Sequence, residues 1–351
     1  MNSRAIERDI AELVALGTEW SDIGGSTILV TGATGLIGGY LVESLAASHR
    51  FTGGDPIHLV IVARSPEAAS RRFAHIDQRQ LTIVEHHLDG PIVVDEHLDF
   101  IVHGASPATP SDFAKDPVGI YVPNVLGTHH LLTLAAHHGV SGFLYLSSGA
   151  VQGSPVPGTT SIDESRYGPL DHLDPASGYA EAKRMGETAC VAWFRRSDVP
   201  VTIARLGHTY GPGLQRSDSR AMAEFVYAAL DGRDIVIHSD GLTRRDYCYL
   251  SDATRALLLL LTRGRRGEPY LVVNTEASLT VRELADLLAE FAPPPGIAVR
   301  MQAVSRPSDY LPHAQPYYRP DTTKLAQLGW APTIGAREGF RRTLEACDDS
   351  A

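Results

Sequence analysis

Cysteine is scarce in this chain of 351 residues: Cys190, Cys248 and Cys347 are its only three, far apart and without C-x-x-C spacing. Such a set supplies neither a disulfide framework nor a thiolate metal site, and suits reduced thiols in a cytoplasm. Long apolar runs are missing as well. The longest aliphatic stretch, Ala256 to Leu261, falls far short of the ~20 residues that a bilayer-spanning helix needs. An excess of positive charge is missing too. The formal net charge is -10, which disfavours nucleic acid as a partner but leaves room for a local basic pocket holding one diphosphate. Histidines occur as sequential pairs at 86–87, 129–130 and 137–138. Neighbours on a helix do not face each other and no Cys or carboxylate spacing supports them, so no metal site is expected. Met1 to Glu19 mixes Arg4, Glu7 and Arg8 with Ile6, Ile10 and Leu13. This reads as an amphipathic helix within an N-terminal extension, residues 1–25, and not as a signal peptide.

What is present is an alternation of short apolar runs with helical patterns. Ser26 to Thr31 reads as a buried parallel strand and Leu36 to Ala47 as a helix. Ile57 to Ala63 is a second strand, Leu81 to Val84 a third and Asp99 to His103 a fourth. A helix follows from Pro123 to His138, then a fifth strand from Gly142 to Leu146 and a sixth from Val201 to Leu206. This order predicts an α/β fold, a doubly wound parallel sheet of the Rossmann type. After Gly211 the alternation loosens. Pro212, Pro269, the Pro293 to Pro295 run, Pro307, Pro312, Pro316 and Pro320 interrupt it, with helices expected at Ala221 to Leu230, Asp252 to Thr262, Thr280 to Phe291 and Gly335 to Ala346. The length exceeds one usual compact core. Residues 26–211 are therefore read as a dinucleotide-binding domain carrying the catalytic residues. Residues 212–351 are read as a smaller, mainly substrate-binding lobe, partly interleaved with the first.

The first strand runs into Thr31-Gly32-Ala33-Thr34-Gly35-Leu36-Ile37-Gly38. Glycines at these three places allow a tight turn, bring backbone N–H groups near a diphosphate and let the helix pack close to the strand. The helix N-terminus adds partial positive charge beneath the phosphates. The strand–turn–helix setting gives the triplet its weight. The second strand ends at Arg64-Ser65. An acidic residue there holds the ribose hydroxyls of NAD, and an arginine can take the extra phosphate of NADP. The expected cofactor is NAD, with NADP the alternative that Arg64 admits.

Tyr179 and Lys183 stand four residues apart, on one face of a helix. A cation near a phenol favours the phenolate, so such a tyrosine can take a proton from a sugar hydroxyl while hydride leaves the same carbon. Ser147-Ser148-Gly149-Ala150 follows the fifth strand, at the edge where such sheets bind ligands. There Ser148 can hydrogen-bond the same oxygen.

These motifs stand in the order found in the nucleotide-sugar epimerases, dehydratases and decarboxylases of the extended short-chain dehydrogenase/reductase type, which the chain resembles from about residue 25 onward. His103 to Pro110, Asp116-Pro117 and Asn124 to Thr128 are most similar to the segments of UDP-glucuronate decarboxylases. Leu146 to Gly153 resembles the serine segment, Arg205 to Gly213 the segment after strand six, and Arg245-Asp246-Tyr247 the site where an arginine grips the nucleotide diphosphate. The resemblance implies catalytic roles for Ser148, Tyr179 and Lys183. It implies cofactor contacts from Gly32, Thr34, Gly35, Leu36, Ile37, Gly38, Arg64, Asp89, Ala105, Tyr179 and Lys183. It implies substrate contacts from Pro107, Ser148, His208 and Arg245. It also implies a homodimer joined through the faces at Leu126 to Ala136 and Tyr179 to Trp193.

The departures bear on the reaction. The family's dehydratases carry adjacent Asp and Glu where this chain has Gly149 and Ala150, which exchange no protons, so dehydration is disfavoured. The similar decarboxylases carry Glu at Ala150, although a 4-keto uronate is a β-keto acid and needs no strong base to lose carbon dioxide. Gln152 replaces the usual Tyr and His208 the usual Asn. The favoured reading is 4-epimerisation of a nucleotide-linked hexose or hexuronate. Its alternatives are decarboxylation of a UDP-glucuronate-type substrate, an NADPH-consuming 4-ketosugar reductase, and a catalytically silent nucleotide-sugar binding protein. Asp163-Glu164 is expected in a loop over the substrate.

Overall fold

A computed structural model describes residues 4–17, 19–107, 113, 115–154, 156, 158–302 and 317–348. Ala108, Thr109 and Pro110 of the segment after the fourth strand lie outside the described residues, as do Pro307, Pro312 and Pro316.

Seven parallel strands form the central sheet: β1 (Thr27–Thr31), β2 (His58–Ala63), β3 (Leu81–Glu85), β4 (Phe100–His103), β5 (Gly142–Ser148), β6 (Val201–Leu206) and β7 (Pro269–Val272). Their spatial order is β3-β2-β1-β4-β5-β6-β7. The order reverses between β1 and β4, and a crevice opens at the carboxyl ends of these two strands, the place where such sheets take ligands. Six of the strands stand where the alternating pattern places them. β7 is a seventh: Pro269 reads as punctuation in the sequence, yet proline is tolerated at the first residue of an edge strand, and β7 pairs with β6 alone.

Both sheet faces are covered, which is why these strands are apolar throughout. Ile28, Val30, Ile61 and Leu144 point to one face. There α2 (Leu36–Ala47) and α6 (Leu250–Arg263) cover them, with α1 (Arg4–Leu16) packed on α6. Leu29, Val60, Ile101 and Phe143 point to the other, beneath α3 (Thr128–His138) and α4 (Gly178–Ser197). The helix expected from Pro123 begins as a wider π turn, Val122–Gly127, before α3 becomes regular. A separate cluster built on Phe225, Val226, Ile237, Leu284 and Phe340 joins α5 (Ala221–Leu230), α7 (Val281–Ala289) and α8 (Ala336–Asp348). α1 and α8 are clamped together. Arg342 reaches Asp9 and Glu12 at 2.7 Å each, and Tyr249 OH donates to Asp9.

Candidate active site

β1 delivers the chain into the glycine turn with Gly32 at φ +73. A Cβ at Gly32 would stand 2.5 Å from the Gly104 carbonyl, and one at Gly38 would stand 2.3 Å from Gly32 O. No side chain fits at either place, so strand, turn and helix close on one another through backbone. Gly35 is the N-cap of α2 and offers no side-chain bond, which leaves the first N–H groups of the helix to a ligand. This is the cradle a dinucleotide diphosphate needs, and the residues present fit it.

The sequence did not point to Arg72. Its guanidinium donates to Thr34 O at 2.9 Å and Gly35 O at 3.3 Å, bracing the turn from below. Gly39 makes room for it, since a Cβ there would come within 1.9 Å of Arg72 Nη2. A glycine inside a helix was the one available sign.

β1 and β4 are latched side by side. Thr31 Oγ1 accepts from Gly104 N and Ala105 N at 3.2 and 3.1 Å and bonds His103 Nδ1 at 2.8 Å. Because His103 Nε2 faces the Pro123 carbonyl at 3.0 Å, Nε2 carries the proton and Nδ1 accepts from Thr31. Burial, followed by the charge of Lys183, pushes His103 down to about 3.

Ser148 ends β5, and its Oγ accepts from Ala150 N at 3.2 Å. Tyr179 occupies the first turn of α4, half-buried, with Phe113 stacked 4.7 Å from its ring. Burial raises the phenol above its ordinary range, and a hydrogen bond with Ser148 and the Arg220 charge oppose the rise. Lys183 Nζ donates to Leu146 O at 2.7 Å and lies 4.9 Å from the Tyr145 ring centre. Burial pushes it down to about 7, with the Glu187 carboxylate the largest opposing influence.

The glycine turn, Ser148, Tyr179 and Lys183 face one cleft of about 1950 Å³. Gly32, Thr34, Gly35, Leu36, Ile37 and Gly38 line its floor, with Arg64 and Asp89 at that same end. Ala105, Pro107, Ser148, Tyr179 and Lys183 line the middle, and His208 and Arg245 the far end. The sequence also passed over Arg220, which lines the far end paired with Asp218 at 2.5 Å. Arg245 bonds only its neighbour's carbonyl, Arg244 O, at 3.1 Å, and has no carboxylate within ion-pair distance among the described residues. Its guanidinium is therefore available to an anion. Arg244 turns away, to Ser278 O and Glu283. His208 is exposed on the cleft wall. Its crowded surroundings, then the charges of Arg245 and Arg220, push its imidazole below the ordinary range, so the ring is neutral at neutral pH.

One expectation is corrected. Asp163 and Glu164 do not line the cleft. Glu164 accepts from Leu271 N at 2.8 Å, and Asp163 Oδ1 caps Ser165 N at 2.8 Å. The buried amide of a newly formed edge strand takes the carboxylate that the sequence assigned to substrate. Gln152, which replaces the family's usual Tyr, also lies off the cleft; its Nε2 donates to Asp163 O at 2.8 Å.

The pattern of the NAD dependent epimerase/dehydratase family matches residues 28–274. UDP-glucuronic acid decarboxylase 6 of Arabidopsis thaliana is 30% identical over 316 residues, 89% of this chain and 86% of that protein. UDP-glucuronic acid decarboxylase 1 of Danio rerio is 28% identical over 323 residues, 91% of this chain and 72% of that protein. Among solved structures, the UDP-glucose 4-epimerase of Thermotoga maritima shares the fold with a TM-score of 0.76 at 23% identity, covering 92% of this chain and 99% of its own. The UDP-glucuronic acid 4-epimerase of Bacillus cereus, solved with UDP-glucuronic acid and NAD, gives 0.74 at 20% identity, covering 93% of this chain and all of its own. With glycine cradle, serine, tyrosine and lysine in one cleft and the family pattern running through all of them, this chain belongs to the NAD dependent epimerase/dehydratase family.

Proposed function

We propose that the chain oxidises C4 of a nucleotide-linked hexose or hexuronate with bound NAD and returns hydride to the opposite face, a 4-epimerisation. The observation that carries this reading is the middle of the cleft. Ser148, Tyr179 and Lys183 converge there, and the places beside Ser148 that would hold a second acid and base are Gly149 and Ala150. Epimerisation needs no such pair, because one tyrosine removes and returns the same proton.

The nicotinamide, when bound, supplies the hydride acceptor. Tyr179 takes the 4-hydroxyl proton, Ser148 orients that oxygen, and Lys183 supplies the positive charge beneath the phenol and a donor to the cofactor ribose. The glycine turn and the first turn of α2 hold the dinucleotide phosphates, with Arg64, Asp89 and Ala105 along the cofactor and Pro107 beside the sugar. Arg245 meets the diphosphate of the nucleotide sugar, and neutral His208 a sugar hydroxyl. Residues 212–351 supply most of this second half.

Decarboxylation of a UDP-glucuronate-type substrate is the second reading. Its support is the 30% identity to a UDP-glucuronic acid decarboxylase, together with the ease with which a 4-keto uronate loses carbon dioxide. We extend the first reading to a cytoplasmic homodimer. Its supports are three buried free cysteines and the half-exposed Leu126 and Met185 beside and on the α3–α4 face.

The test is incubation of purified protein with UDP-, dTDP-, GDP- and CDP-sugars, followed by mass spectrometry and NMR. An epimer of unchanged mass and tightly held, recycled NAD support the first reading. Release of carbon dioxide replaces it with the second. Stoichiometric use of NADPH replaces both with a reductase.

A further inference from the structure

Two charged side chains lie beneath the reactive row without touching the cleft. Glu187 is one turn further along α4 than Lys183, and residues four apart share a helix face. Its carboxylate accepts from Ser147 Oγ at 2.6 Å, from Arg205 Nε at 2.9 Å and from Arg205 Nη2 at 2.7 Å. Arg205 is wholly buried on β6. Its other bonds go to Glu164 O at 2.8 Å and Tyr167 OH at 2.5 Å. A buried ion pair stabilises a fold no better than well-packed apolar residues do, so its placement calls for another use.

Lys183 has no carboxylate within ion-pair distance among the described residues. His103 faces it from β4 and Tyr145 from β5, while Tyr179, Glu187 and Cys190 share its helix, and Arg205 on β6 is bound to Glu187. Burial keeps His103 neutral and pushes the Tyr145 and Cys190 protons well above neutrality. Glu187 is thus the carboxylate whose charge reaches the ammonium.

We propose that Glu187 and Arg205 are a positioning pair for Lys183: Arg205 and Ser147 fix the carboxylate one turn from the ammonium, and the carboxylate keeps that ammonium charged inside the protein. The inference rests on the reading of Lys183 as the cation of the hydride-transfer site. Ser147 ties the pair to β5, whose next residue is Ser148, so charge and geometry are set by the same three side chains.

The chain has three lysines, Lys115, Lys183 and Lys324. Full-length protein with NAD, carrying carbon-13 at the lysine ε position, gives one NMR signal for each, and Lys183→Arg identifies the one that matters. Its midpoint is followed against pH. Glu187→Gln leaves Arg205 as an uncompensated positive neighbour and lowers the midpoint by about one pH unit or more. Pairing Glu187→Gln with Arg205→Gln removes both charges and lowers it less. A merely structural role predicts the reverse order or no change. An unshifted midpoint in Glu187→Gln, or a larger fall in the double variant, overturns the proposal. Where Glu187→Gln does not fold, the double variant leaves no unpaired buried charge and is compared with the wild type directly: a fall supports the pair and an unchanged midpoint overturns it. Tyr179→Phe separates the two readings. If it transfers hydride at full rate the functional reading fails, whereas an inactive Tyr179→Phe beside an unshifted Lys183 removes the positioning pair alone.

Discussion

At one end of the cleft the wall is backbone; at the other it is side chains. The cofactor end is shaped by Gly32, Gly35 and Gly38, where added carbons at the first and last would enter neighbouring main chain. The far end, proposed for the sugar, is shaped by the side chains of His208, Arg220 and Arg245. A backbone requirement admits one residue type, so the first end declares its ligand class in the sequence. A side-chain requirement admits several solutions, so the second end can change substrate or reaction while the first stays as it is. Ser148, Tyr179 and Lys183 stand between and, in the proposed reaction, serve both.

The largest effect is expected where both ends are served. Tyr179→Phe should slow hydride transfer on the order of 10²–10⁴-fold with NAD and nucleotide-sugar affinities unchanged, measured by single-turnover absorbance and calorimetry. Loss of either affinity would show that the phenol holds a ligand and is not the shared proton acceptor.

Acid distinguishes the two ends next. His103 is sealed in the protein and pushed down to about 3, whereas His208 is exposed on the cleft, where solvent limits what its downward shift contributes to stability. Below a histidine's ordinary 6.5 the unfolded chain binds the proton and folded His103 does not, so stability present above that pH is lost as pH falls toward 3. The slope for one sealed imidazole is about 1.4 kcal/mol per pH unit. In urea melts between those limits, His103→Gln should flatten this slope and His208→Asn should leave most of it. Equal flattening by both would erase the distinction.

Single-end variants follow. Arg245→Ala removes a charged hydrogen-bond donor worth about 1.5–3 kcal/mol, so KM for the nucleotide sugar should rise roughly tenfold to a hundredfold, with the affinity for NAD retained. Gly38→Ala forces a Cβ against Gly32 O. Overpacking of about 1–3 kcal/mol should weaken NAD by a similar factor and leave the nucleotide-sugar affinity of the NAD-loaded protein alone. Crossed effects in either variant would break the division of the cleft.

The same contrast explains what could be read in advance. The first six strands were legible because each is a short β-branched or aliphatic run buried on both faces. The glycine turn was legible because only glycine fits it. β7 was not, since four residues opening with Pro269 look like a loop until β6 is beside them. Arg72, Arg220, Glu187 and Arg205 were not read as functional, because arginine and glutamate on helices and strands carry no local sign of their distant partners. Glu164 was misplaced for the same reason: its acceptor role depends on Leu271, more than a hundred residues away.

The smallest expected change is the most informative about the sugar end. Ala150 lies exposed in the 3-10 turn after Ser148 and lines the cleft. A carboxylate can be added there without displacing packed atoms, so Ala150→Glu should alter stability by no more than about 0.5 kcal/mol and the rate of hydride transfer about twofold at most. Its effect should appear in product partition. The 4-keto uronate lies between return of hydride and loss of carbon dioxide, and a carboxylate beside Ser148 adds the proton-transfer group that this turn lacks. With UDP-glucuronate, mass spectrometry should show a larger decarboxylated fraction in Ala150→Glu than in the wild type. An unchanged partition would mean that the reaction is decided elsewhere, at His208 or Arg220, and that the turn after Ser148 belongs with the invariant geometry of the cofactor end.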